Sequence, residues 1–183
     1  MAGPVVRILV QASALPAEPA IAESFESVGL RPDEDELPEY YPRIRDRDDL
    51  PYDLEVEPWD PELGVDIDAA LEQAGFRPSH GILLIAFVND DRAHRVLGEF
   101  AADLAARTEG WIDVGGPLRP RSWHPVNTPL AKYRRYLAKL DLPGEVRSVE
   151  YETAAGGRKA LVEILDAEAM RAWLRHPDFH MLK

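Results

Sequence analysis

Residues 81–114 read GILLIAFVNDDRAHRVLGEFAADLAARTEGWIDV, and the reading of this stretch decides the fold. GILLIAFV shows no polar alternation, so as a strand it needs cover on both faces and belongs near the centre of a sheet. In NDD, Asp90 or Asp91 is placed to accept a hydrogen bond from the first turn of a helix. Val96, Leu97, Phe100, Ala101 and Leu104 then repeat at helical spacing as one apolar stripe. Arg95 with Glu99, and Asp103 with Arg107, fall at i,i+4 on the other side, as on an exposed face. WIDVGGPL returns as a second strand.

The flanks add the same kinds of element. VVRILV (Val5 to Val10) is a β-branched run of strand length, and AEPAIAESFESVGL after it has helical spacing with Gly29 as its stop. VDIDAALEQAG is a short helix ending at Gly75. Beyond the central stretch, RPRSWHPVNTP is a loop and LAKYRRYLAKL a basic amphipathic helix with Leu130, Tyr133, Leu137 and Leu140 on one side. VRSVEYET and RKALVEIL, joined by AAGG, form a hairpin, because the glycines supply the positive φ that a tight turn needs. A last helix opens after Asp166 and ends at His176, since Pro177 disfavours helical geometry in the residue before it. The expected fold is α+β: a mixed β-sheet with helices packed on it, a single-domain sandwich closed by a C-terminal hairpin plus helix. At 183 residues, one such domain can bury a core without staples.

Cysteine is absent, which excludes disulfides, a thiol nucleophile and cysteine-ligated metal clusters. The run from Ile82 to Val88 is too short to cross a bilayer. The N-terminus resembles a signal peptide only loosely, interrupted by Gln11 and Pro16, so a cytoplasmic location is expected.

Net charge is −12, and residues 33–62 hold 13 acids and 3 bases, leaving −2 for the other 153 positions. This acidic excursion (31–65) contains six prolines and therefore no long helix. Its apolar residues are spaced as in a packed segment, with a short strand at DLEVEPW. Tyr40, Tyr41, Tyr52 and Trp59 are the residue types that anchor interfaces. Asp33, Glu34, Asp35, Glu36, Asp46, Asp48, Asp49, Asp53 and Asp60 supply a field that steers a cationic partner. The competing reading is a solvated loop, or one neutralised by Arg119, Arg121, Lys132, Arg134, Arg135 and Lys139, a stretch with no acid among them.

Elsewhere the signals are sparse. HPDFH at 176–180 spaces two histidines and an aspartate suggestively, but Pro177 ends the helix between them, so the reading is a docked apolar tail of Phe179, Met181 and Leu182 with no metal. Asp113 at a strand end beside two glycines is either a general base or an acceptor for the next turn, with the turn preferred. GGPL and AAGGRK lack the phosphate-loop pattern. Ser122 with His124, and Ser79 with His80, are sequence neighbours without a nucleophile elbow.

RVLGEFAADLA and GWIDVGG (95–116), with the last helix and FHMLK (167–183), resemble a small family of uncharacterised bacterial proteins, a domain of unknown function associated with toxin-immunity neighbourhoods. The resemblance carries no active site onto this chain. Together these readings lead to a cofactor-free immunity-type binding protein that neutralises a cationic toxin, such as a nuclease, through its acidic aromatic surface. The alternative is a small enzyme with a pocket near Asp113 and the C-terminal histidines. Nucleic-acid binding through the basic stretch ranks third, because the net charge opposes it.

Overall fold

A computed structural model describes residues 3–11, 18–32, 43–46, 48, 50–59, 71–73, 75–123, 128–152 and 159–181. Its elements are β1 (Val5–Val10), α1 (Glu18–Val28), β2 (Arg31–Pro32), β3 (Arg43–Arg45), β4 (Pro51–Pro58), β5 (His80–Ala86), α2 (Asp91–Thr108), β6 (Trp111–Asp113), α3 (Leu130–Leu137), β7 (Val146–Glu152), β8 (Lys159–Leu165) and α4 (Ala167–Arg175), with residues 71–73 also helical. The eight strands form one sheet in the order β2-β3-β4-β5-β1-β6-β8-β7. The fold is α+β, as the sequence predicts, and β5 is central.

Sequence order predicts a mixed sheet, whereas every described ladder is antiparallel. The reason lies in β1. The crossover helix α2 joins β5 to β6, which run parallel to each other, but β1 fills the gap between them and pairs antiparallel with both. β2 and β3, only two and three residues long, extend the sheet through the acidic excursion.

Alternation assigns the faces. Val6, Ile8 and Val10 of β1, Ile82, Leu84 and Ala86 of β5, and Tyr52 and Leu54 of β4 join the core beneath the helices. α2 lays Val96, Leu97, Phe100, Ala101 and Leu104 on that face and packs against α1 and α4. Phe100 stacks on Phe25 of α1 at 5.3 Å. α1 stops where expected, with Gly29 at φ 75°. Gly98 is where α4 and the tail approach α2: a β-carbon there would lie 2.7 Å from Leu174 and 3.2 Å from Phe179. On the opposite face Leu9, Val149, Val162 and Ile164 form a smaller cluster, covered by Leu71 and Phe76. Among the described residues no helix is long and apolar enough to cross a membrane.

Candidate functional site

Asp90 caps α2 by accepting the Ala93 N–H at 2.7 Å, so the helix begins at Asp91 and its first turn carries His94 inward. At the end of β6, Asp113 accepts the Gly115 N–H at 2.7 Å, and this turns the chain through Gly115, Gly116 and Pro117. Burial raises the Asp113 pKa, and the Gly115 N–H and Arg7, opposite it on β1, partly offset that rise. Asp113 thus acts as the turn acceptor that its position beside two glycines predicts. Behind the turn, buried Glu163 accepts the Leu118 N–H at 3.3 Å and the Ser148 hydroxyl at 2.7 Å, while its own N–H donates to the Gly116 carbonyl.

The C-terminal tail supplies the third wall. Asp166 caps α4, and His176 ends it in an extended conformation, φ −71° and ψ 139°, as Pro177 requires. Phe179 and Met181 then enter the core, 5% and 1% exposed. The Met181 N–H donates to His94 Nδ1 at 2.9 Å, which leaves the proton on Nε2, 3.1 Å from Asn89 Oδ1. Arg121 Nε donates to the Phe179 carbonyl at 3.2 Å, and the Tyr136 hydroxyl to Asp178 at 2.8 Å. His176 stacks on Trp173 and accepts the Asp178 N–H through Nδ1. The tail is docked.

These three walls bound an open cavity of about 510 Å³, lined among others by Asn89, Asp91, Gly116, Arg119, Arg121 and His180. Its lining carries two guanidinium groups and one carboxylate. Arg121 pairs with Asp91 at 2.6 Å and holds that carboxyl below its ordinary range by hydrogen bond and charge. His180 Nδ1 donates to the Asp178 carbonyl at 2.8 Å, and burial, with lesser pushes from Arg119 and Arg121, lowers its pKa. The imidazole is therefore neutral at pH 7, with an acceptor lone pair on Nε2. A neutral base beside two fixed cations suits an anionic ligand and, chemically, proton transfer from it.

Of the residues the sequence singles out, His180, Arg119 and Arg121 line this cavity, while Asp113 and His176 stand outside its lining. The Ser79 hydroxyl donates to the Val10 carbonyl at 3.1 Å and lies 3.1 Å from His80 Nδ1, so its proton is directed to the backbone and not to the imidazole. Among the described residues no three histidines or carboxylates converge as metal ligands.

The acidic excursion divides. Asp46, 1% exposed, accepts the N–H groups of Asp48 and Leu50 and lies 3.2 Å from Arg92; Tyr52, fully buried, donates to it at 3.4 Å. Neither presents a surface in this conformation. Asp48 is exposed and paired with Arg92. Asp53 is half-buried on the opposite face of the sheet, where Trp59 lies 6.0 Å from the Arg7 guanidinium. Asp33, Glu34, Asp35, Glu36, Tyr40, Tyr41, Asp49 and Asp60 lie outside the described residues.

Asn89, His94, Arg119 and Arg121 carry no motif that assigns them to a site. His94 sits on the buried stripe of α2, where a histidine reads as core, and the two arginines read as part of a basic run.

The chain belongs to a family of unknown function (DUF6368), whose model matches residues 2–183. No curated protein and no solved structure matches it.

Proposed function

We propose, from a family membership that assigns no chemistry and from the groups of the cavity itself, that this protein binds a small anionic molecule between the start of α2, the turn after β6 and the C-terminal tail. The observation that carries the reading is the pairing of Arg119 and Arg121 with a neutral His180 in one cavity of about 510 Å³. Ligand sites are concave, few, and furnished with convergent polar groups of this sort. A charged carboxylate or phosphoryl group bound there gains charge-assisted hydrogen bonds from the guanidinium groups.

Thermal unfolding with succinate or inorganic phosphate in excess tests it. Selective binding to the folded state raises the melting temperature in a concentration-dependent way, and at about 100 times Kd contributes roughly 2.7 kcal/mol. The shift is expected to vanish when Arg119 and Arg121 are both replaced by Gln. No shift for either anion, or the same shift in the variant, overturns the reading.

A second reading retains support from charge. Net −10 is concentrated in residues 33–62, and β4 sets Asp53, Glu55 and Glu57 in a row on one face of the sheet, while Asp48 is exposed beside Arg92 of α2. An immunity-type complex with a cationic toxin domain would use these acids for steering, with Trp59 as a contact. Its association with a cationic nuclease domain should be fast at low salt and slow markedly at high salt, because exposed charges are screened beyond about 10 Å at 0.1 M. Salt-insensitive association, or an unchanged on-rate after neutralising Asp48, Asp53 and Glu57 together, sinks that reading.

A further inference from the structure

Two buried side-chain atoms of residues that line the cavity have no hydrogen-bond partner among the described residues: Arg119 Nε and His180 Nε2, both lying just behind its surface. Both are sealed from solvent, and each such group left unpaired costs about 1–3 kcal/mol. Their characters are opposite. Arg119 Nε carries a hydrogen and only donates. At His180 the Asp178 carbonyl can only accept, so the proton resides on Nδ1 and Nε2 only accepts.

Several neighbouring polar groups are committed. Both ring nitrogens of His94 are engaged, the Gly115 N–H is held by Asp113, and Arg121 is shared between the Phe179 carbonyl and Asp91. Arg119 is itself positioned by a hydrogen bond to the Trp123 carbonyl, and His180 by the backbone of the tail. One buried donor and one buried acceptor remain among the described residues, on two residues that line the same cavity.

We infer that the ligand carries an O–H donor as well as its negative charge, as a hydroxy acid or a hydrogen phosphate does; this rests on the anion reading above. A bare carboxylate offers acceptors alone. It satisfies Arg119 but sets a lone pair against that of His180. An ammonium group does the reverse. A hydroxyl satisfies both, its oxygen accepting from Arg119 Nε and its hydrogen donated to His180 Nε2. Reaching them takes a side-chain adjustment at the cavity wall, of the kind that rotamers commonly make on binding. A site furnished to hydrogen-bond a hydroxyl discriminates strongly against the analogue lacking it, because its buried groups then stay unpaired.

Calorimetric titration with malate, succinate and inorganic phosphate at neutral pH tests the inference. Malate is expected to bind at least about tenfold more tightly than succinate, from which it differs by one hydroxyl, a ratio equivalent to roughly 1.4 kcal/mol. The malate-to-succinate ratio should fall to near one in His180→Phe, whatever that change does to both affinities together. Arg119→Lys, which keeps the charge but loses the Nε–H, should narrow it as well and serves if the first variant is unstable. A nitrogen-detected spectrum should show the His180 Nε2 resonance shifting with malate and not with succinate. Phosphate binding more tightly than malate, with the same dependence on His180, identifies hydrogen phosphate as the source of the O–H. Equal binding of malate and succinate, both weakened in Arg121→Gln, overturns the hydroxyl inference and leaves the anion reading standing. Binding of none of the three overturns both.

Discussion

Replacing Glu163 by Gln is expected to stabilise the protein by roughly 3 kcal/mol at pH 8 and to change little near pH 4.5. Glu163 is fully buried on β8, and burial pushes its pKa from 4.5 up to about 7, even though the Ser148 hydroxyl and the Leu118 N–H favour the charged form. The folded protein therefore holds a proton that the unfolded chain releases. Its stabilising contribution is complete below the unfolded value of 4.5 and is lost as pH rises through about 7. Above that, the carboxylate sits charged in the interior. Gln keeps an oxygen for the Leu118 N–H and an amide that can donate to Ser148, and it has no charge to desolvate. Urea unfolding at a series of pH values measures the effect. A variant whose stability runs parallel to the parent from pH 4.5 to 8 would show that Glu163 does not titrate in this range.

The same residue bears on the cavity. Glu163 holds the Gly116 to Leu118 segment from behind, its backbone N–H donating to the Gly116 carbonyl and its carboxyl accepting the Leu118 N–H, so one of the two ties depends on a group that is costly to keep charged. Buried polar groups with perturbed pKa values concentrate near functional sites, although structural networks produce them too. Here the arrangement fixes a glycine-containing turn that has few side chains of its own to hold it.

The elements that were legible in the sequence are those whose physics is local. The stripe on α2, its Asp90 cap, and the termination of α4 before Pro177 each follow from residues within one or two turns. β2 and β3 were not legible, since two- and three-residue strands beside prolines carry no periodicity and gain their hydrogen bonds from β4. The direction of the ladders escaped for a related reason: β1 pairs with strands about 75 and 105 positions away, and no local pattern encodes that choice. Tyr52 and Asp46 look like surface residues in an acidic stretch. The alternation of β4 turns Tyr52 inward with Leu54, and Asp46 follows as its hydrogen-bond partner. The cavity draws on residues 89–94, 115–121 and 180–181, three segments that only the fold brings together. His180 stood out through its place in HPDFH, and Arg119 and Arg121 only as part of a basic run.

Deleting residues 178–183 should lower stability by about 2–4 kcal/mol and the melting temperature by roughly 4–16 °C. Phe179 and Met181 are almost completely buried against Trp173, Leu174 and α2, and burying side chains of this size contributes about 1.5–3 kcal/mol each. Ordering the tail offsets part of that gain. The deletion also removes the Met181 N–H that holds His94 and the Phe179 carbonyl that holds Arg121, so two groups lining the cavity lose their positioning partners together. Phe179→Ala separates the two consequences. It empties a core site next to Gly98 while leaving the backbone carbonyl and the Met181 N–H in place, so it should reproduce most of the stability loss and less of any loss in anion binding. A melting temperature unchanged by the deletion would mean that the tail contributes nothing to the core. The cavity, which takes its third wall from that tail, would then have no fixed shape with which to select a ligand.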